Sequence, residues 1–318
     1  GDGSQSDPYK TITKAVGIAD SSTDHSKIYI ASGVYSSSSG EDFPLTLDHM
    51  DLIGNPDDPS QVEVSGEMTV SNGEVTGIHC YQKLTAEEDA LIKQNHFTKT
   101  GYAVDVEDRS TVTDNTFENA EIIGYPEGPV EITNNSFIND HTLAIRLNIY
   151  GAIEILIDSN EVKGDGGIDI NTYRQNYKLT IRNNVIKGGG ISFYLESTGE
   201  ILIEKNLVSG DIGITGESSA TIDMGGGSLG SSGNNIFQHT DNNIYTLYHE
   251  LPAYSGTLYA KNNTWKDSSG NEFQPPDVLE GPADTDHFLI KNIGNKIRFS
   301  GTEDTTPPSV TIESAPSG

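Results

Sequence analysis

The apolar and polar positions of this chain alternate in short runs of four to six residues, the period of a strand with one buried face, and helical spacing is almost absent. In "LTIRNNVIKGGGISFYLES", residues 179–197, the alternation stops at Asn183-Asn184, resumes at Val185, pauses at three glycines and starts again at Ile191. The same break recurs. Asn followed two positions later by a large apolar residue occurs at Asn95/Phe97, Asn115/Phe117, Asn135/Phe137, Asn160/Val162, Asn184/Ile186, Asn206/Val208, Asn235/Phe237 and Asn263/Trp265. These pairs are 20 to 29 residues apart and average 24, which is the period of a solenoid whose unit is one coil.

Three positions before most of these asparagines stands a residue suited to a core, at Ile92, Val112, Ile132, Ile157, Ile181, Ile203 and Ala260. The Asn is therefore expected at a corner. It tolerates left-handed backbone, and its amide can donate to one neighbouring coil and accept from the other, giving a ladder at the ~4.8 Å spacing of adjacent strands. A third strand per coil is expected at "YAVDV" 102–106, "LAIRLN" 143–148, "GIDIN" 167–171, "ISFYL" 191–195 and "IGIT" 212–215. Val104, Ile145, Ile168 and Ile212 would face inward. Asp105, Arg146, Asp169, Ser192 and Gly213 would form one outward column, and Asn148, Asn171, Tyr194 and Thr215 a second. Three strands per coil describe an all-β fold, a parallel β-helix with an internal Asn ladder.

At the amino end, Asp7 as N-cap and Pro8 at the first helical position predict a short capping helix through Ala19, with Ile12, Ala15, Val16 and Ala19 on the first coil. A net charge of −28, from 19 Lys and Arg against 47 Asp and Glu, repels phosphate backbones, so nucleic acid is excluded as a partner. The single Cys80 rules out an internal disulfide framework. No apolar run is long enough for direct membrane insertion. The glycines of "DMGGGSLGSSG" lack the GK[ST] ending of a phosphate loop and predict an irregular coil. The abrupt opening "GDGSQSDPYK" leads us to expect an export signal upstream.

"DPYKTITKAV" followed by "KIYIASGVY" and "EDFPLTLDHMDLIGN", with "TIDMGGGSLGSSGNNIF" and "LYAKNNTW" near the end, resembles an exported, functionally uncharacterised branch of the pectin-lyase-like superfamily. That superfamily consists of right-handed parallel β-helix proteins. The resemblance covers the chain to about residue 300. It implies a cap at 1–26, a β-helix at 27–266 and a closing cap at 267–300, while "TEDTTPPSVTIESAPSG" resembles a linker and the start of a truncated Ig-like repeat at 301–318. A secreted or cell-surface location follows from the same likeness, with adjacent Ig-like domains of the same chain as neighbours.

The resemblance also directs attention to the third-strand face as a substrate groove. There Tyr173, Tyr177 and Tyr194 would stack on sugar rings beside Asn148 and Asn171, with Tyr173, Arg174, Tyr177 and Lys178 on the loop after Asn171. Arg146, Arg174 or Lys178 would neutralise a uronate or remove its α proton in β-elimination. Asp105 and Asp169 would hold a bridging Ca²⁺. The partner so implied is an extracellular polysaccharide or cell-surface glycan, and the activity, if any, that of a polysaccharide lyase. A hydrolase would need clustered carboxylates, for which Asp165 with Asp169 is the nearest pair. His141 stands ahead of the Arg146 strand as a further acid or base. Two other readings stay open: a sign-alternating surface ladder of Asp105, Arg146 and Asp169, like Asp158, Arg182 and Glu204 on the preceding strands, and a structural or adhesive segment of a modular surface protein.

Overall fold

A computed structural model describes residues 1–19, 26–139, 143–151, 153–174, 176–215, 218–238, 247–250, 257–267, 269–273, 287–289, 296–299 and 310–313. Strands from successive coils stack into three sheets of 13, 12 and 11 strands, each taking every third strand in chain order over most of its length. Pairing is parallel through Leu247–Glu250, Thr257–Tyr259 and Thr264–Lys266 in the three sheets. The fold is the parallel β-solenoid expected, and the third strands at Ile191–Leu195 and Ile212–Thr215 have the expected bounds. Val104, Ile145, Ile168 and Ile212 are all buried in the bore. One third strand, Ala120–Gly124, carried no alternation to find, because every residue in it is buried.

The paired amides divide two tasks. The residue before each ladder position adopts left-handed backbone, at Gln94, Asp114, Asn134, Ser159, Asn183, Lys205, Asn234 and Asn262, with φ between 54° and 61°. The ladder asparagine itself is not the left-handed residue, contrary to expectation. Asn184 turns inward and is fully buried, while Asn183 makes the bend on the surface. Within the bore, Nδ2 of each ladder Asn donates to Oδ1 of the next at 2.9 to 3.2 Å, without a break from Asn95 to Asn263. Each of these Oδ1 atoms also accepts the main-chain N–H of the Asn before it, as Asn206 does from Asn184 at 2.9 Å. Below Asn95 the position is filled by Ile78, whose N–H caps the first amide at 3.0 Å. The apolar residues after the corner stack in turn, Phe97 on Phe117 at 4.9 Å and Phe117 on Phe137 at 4.7 Å between ring centroids.

The two ends differ. The helix runs only from Ile12 to Val16, capped by Thr11 rather than Asp7. Its start is set across the fold: the Glu41 carboxylate accepts the N–H groups of Ile12 and Thr13, both at 2.8 Å. Ile12 is buried on the first coil, with Val16 and Ala19 partly buried against it. After Thr264–Lys266, near the boundary expected at 266, pairing turns antiparallel. Val310–Glu313, in the segment expected to start another repeat, lies antiparallel beside Lys296–Phe299. The glycine-rich loop closes on its own anion: the buried Asp223 carboxylate accepts N–H bonds from Gly225, Gly227, Leu229 and Ser231 at 2.9 to 3.3 Å.

Removing one ladder amide takes the acceptor from buried donors on one side of it and a donor from a buried acceptor on the other. Asn184→Ala is expected to cost about 3 kcal/mol or more in guanidinium unfolding, because the buried Asn160 N–H loses its acceptor, Asn160 Nδ2 loses one of its three, and the Ile157 carbonyl and Asn206 Oδ1 each lose a donor. Asn183→Ala, which puts a less tolerant residue in left-handed backbone and removes one exposed hydrogen bond, from Asn183 Nδ2 to Asp158 Oδ1 at 2.8 Å, should cost only about 1–2 kcal/mol. Equal costs would show that the ladder is not what holds the coils.

Candidate functional site

The third sheet carries the expected columns only in part. Asn148 lies opposite Asn171, Asn171 opposite Tyr194, and Tyr194 opposite Thr215, as alternation requires. In the other column Arg146 lies opposite Asp169, but Ile123 of the unforeseen strand stands between Asp105 and Arg146. Asp105 and Asp169 are thus three coils apart, about 14 Å at the spacing of adjacent strands. One ion cannot bridge them. Asp105 is paired with Lys83 at 3.6 Å and Asp169 with Arg146 at 3.5 Å, and no cluster of three metal-binding side chains occurs among the described residues. The carboxylates chosen for Ca²⁺ therefore do not fit it.

The three residues proposed for proton abstraction do not converge either. The Arg146 guanidinium is neutralised by Asp169, and its Nη1 reaches across the Ile123 coil to donate to the Tyr102 hydroxyl at 3.4 Å. Lys178 is on strand Tyr177–Arg182 of the first sheet, 3.8 Å from Glu154 and opposite Glu200. It belongs to a sign-alternating row there, as Arg182 does with Asp158 at 2.7 Å. Only Arg174, exposed beyond the end of strand Ile168–Thr172, stays near the face. Tyr177 also leaves the site. It starts the next strand rather than sitting in a loop, points into the bore at 1% exposure, and burial pushes its pKa up to about 12. Gly199 lies opposite it, where an added Cβ would come within 2.4 Å of the ring. Asp165 is exposed beside strand Glu161–Gly164, and His141 lies outside the described residues.

A longer feature emerges beside the asparagines. Tyr125, Tyr150, Tyr173 and Tyr194 come from four consecutive coils and form a row along the edge of the third sheet. Tyr150 and Tyr173 stack at 4.8 Å and 13°, Tyr125 continues the stack at 6.5 Å, and Tyr194 breaks from it at 51°. The inner rings face each other, so they offer a ligand their edges and hydroxyls rather than their faces. Aromatic faces remain at the ends, where Tyr125 is 50% and Tyr194 39% exposed. Burial and the neighbouring Tyr150, Glu196 and Asp169 raise the pKa of Tyr173, which keeps its hydroxyl a donor. Tyr125 and Tyr150 were missed, although their recurrence at 25 and 23 residues before Tyr150 and Tyr173 matches the coil period.

Three carboxyls on these coils have weakened acidity, and one of them, Glu121, feels the Arg146 charge. Glu121, 7% exposed, has a buried Oε2 without a hydrogen-bond partner, as does Oδ1 of Asp105. Burial raises the pKa of both, against the opposing charges of Arg146 for Glu121 and Lys83 for Asp105. Glu107 is raised by burial and by Glu87, Asp105 and Asp108. Glu121 escaped notice because its strand has no alternation. Elsewhere, His79 stacks on His96 from the next coil at 4.5 Å, with its pKa lowered by burial and by His96. The Cys80 thiol is buried and its pKa pushed up, so it offers no nucleophile.

A carboxyl whose pKa lies above its ordinary 4.5 binds its proton more tightly in the folded chain, so Glu121 supports the fold below 4.5 and that support fades as pH rises toward the folded value. Glu121→Gln keeps the shape and has no proton to lose. It is expected to raise the denaturation midpoint at neutral pH and to match the parent below 4.5. A variant less stable than the parent at neutral pH would mean that attraction to Arg146 outweighs burial.

Among the described residues no helix is long and apolar enough to cross a membrane. Comparison with curated proteins gave no significant match, and neither did comparison with solved structures. One family profile, described as "Protein of unknown function (DUF1565)", matches residues 1–271. With the match spanning most of the coils described above, the chain belongs to the DUF1565 family.

Proposed function

We propose that the protein binds an extended, hydroxyl-rich polysaccharide along the edge of its third sheet, as a carbohydrate-recognition module at the outside of a cell rather than as a lyase. The observation that carries this reading is the row of four tyrosines at coil spacing, running beside Asn148, Asn171 and Thr215. Phenols and amides supply neutral donors and acceptors, and the end rings of Tyr125 and Tyr194 supply apolar faces for sugar C–H groups. A hexose unit advances a glycan by nearly one coil rise, so a chain parallel to the solenoid axis would meet an equivalent set of groups at each coil.

Charge favours a neutral glycan over a polyuronate. The chain carries −28, Arg146 is neutralised by Asp169, and Lys178 is on another sheet. Arg174 is the one cation near the row among the described residues that makes no ion pair there. A β-elimination site needs a base and a carboxylate-neutralising cation on the same sugar, and the groups proposed for those parts are held apart. The alternative of a stiff spacer in a modular surface protein draws on the same stacked rings, read as reinforcement.

A glycan array of neutral β-linked oligosaccharides and oligogalacturonates, followed by calorimetry, separates these readings. Expected are binding to neutral chains of four or more sugars, insensitivity to EDTA, and a loss of about tenfold or more in the Tyr125→Ser/Tyr194→Ser double variant with unchanged circular dichroism. Silence across the array would leave the spacer reading, and release of unsaturated ends from the galacturonates would restore the lyase.

A further inference from the structure

Among the described residues the amino-terminal end of the solenoid is only partly covered. A cleft of about 830 Å³ lies between the arm at residues 3–19 and strand Ser26–Tyr29, within the size range of ligand pockets, about 300–1,000 Å³. Ile12, Ala15, Ile28 and Ile30 line it, with Tyr9 and Tyr29 also on its walls. Strand Ser26–Tyr29 is the outermost strand of the first sheet, and among the described residues its one strand partner is Met50–Ile53.

The hydrogen-bond pattern of the coils states what that edge offers. Inward-facing residues send their N–H toward the next coil, as Ile30 does to the Ile53 carbonyl at 2.8 Å, Ile122 to Ala144 and Ile145 to Gly167. Outward-facing residues send theirs toward the preceding coil, as Thr111 does to Ala90 and Lys178 to Ile153, both at 2.8 Å. On the first coil the outward residues are Lys27 and Tyr29. Their main-chain groups are turned to the side where no strand precedes them among the described residues, the side of the cleft. The edge stops at Ala31, whose carbonyl accepts the Tyr35 hydroxyl at 2.9 Å. Charge does not select here as it does elsewhere: residues 1–40 contain three lysines and four aspartates, near neutrality in a chain of −28. Exposed apolar side chains gather at this end, with Ile18 at 50%, Tyr29 at 74% and Val34 at 56%.

We propose that this cleft takes an extended peptide with apolar side chains at alternate positions, added as a parallel strand ahead of Ser26–Tyr29. The edge selects the occupant. A helix has no main-chain groups to offer, whereas a strand bonds to Lys27 and Tyr29 while its alternate side chains descend onto the apolar floor. The pattern of the coils sets the polarity of the contact: the inward, apolar residues of the peptide are the ones that donate N–H to this protein.

That polarity makes the test specific. A fluorescein-labelled, end-blocked peptide Thr-Val-Lys-Val-Glu-Val-Thr, whose Lys and Glu charges cancel, is titrated with the intact protein at physiological salt and followed by anisotropy. Saturable binding is expected. N-methylation of the valines should weaken it about tenfold or more, and N-methylation of the Lys and Glu positions by less than about twofold. Ile18→Glu, at an exposed position on the cleft wall, should weaken it as well. No binding of the parent peptide, equal effects of the two methylation patterns, or indifference to Ile18→Glu would each overturn the proposal.

Discussion

From Asn95 to Asn263 the placing of the coils depends on one repeated contact, the amide of a buried asparagine donating to the amide of the asparagine one coil on. A buried amide without partners would cost more than any packing contact it could make. The asparagines are therefore held at one height in every coil from Asn95 to Asn263, and the strands on either side are held with them. The coils vary from 20 to 29 residues, and the ladder absorbs that variation by leaving the corner fixed while loops elsewhere lengthen. The Phe97, Phe117 and Phe137 stack then follows from the corner, because each ring stands two residues beyond an amide whose place is set.

Fixed corners turn sequence into rows. Side chains at the same offset from the ladder meet their counterparts one coil away, so a chain of −28 can place its few cations where they count, as Arg182 beside Asp158 and Arg146 beside Asp169. Individually such exposed pairs contribute little, but they remove like-charge contacts that parallel stacking would otherwise impose. The tyrosine row is the aromatic form of the same repetition. Its rings carry no formal charge, unlike the Arg146 and Asp169 pair on the same sheet.

The flanks and ends of a solenoid pose different problems. Along the flanks main-chain groups are paired coil to coil, and recognition is left to side chains. At an end the pairing stops. Toward the carboxyl end the sheets turn antiparallel, whereas at the amino end a five-residue helix anchored by Glu41 leaves a cleft against the first strand. The two surfaces inferred here, one of phenols and amides and one of main-chain edge, thus follow from where the ladder supplies partners and where it cannot.

The sequence by itself determined the coil. The asparagine period, the aliphatic residues three positions before each corner and the alternation within each strand are consequences of local geometry, so Ile92, Ile157, Ile181 and Ile203 could be placed inside without coordinates. The corners needed more than the pattern: the left-handed bend belongs to the residue before each ladder amide, a position that Gln94, Ser159 and Lys205 fill as well as asparagine. Alternation placed Asn148, Asn171, Tyr194 and Thr215 in one row, but which of the other outward residues meet was decided by tertiary structure. Strand Ala120–Gly124, buried on both faces, separates Asp105 from Arg146; a turn shorter than expected carries Tyr177 into the bore and Lys178 onto another sheet; and Glu41 sets the start of a helix 29 residues before it. Contacts between coils depend on how many residues each coil spends in its loops, and that number leaves no periodic mark on the strands it connects.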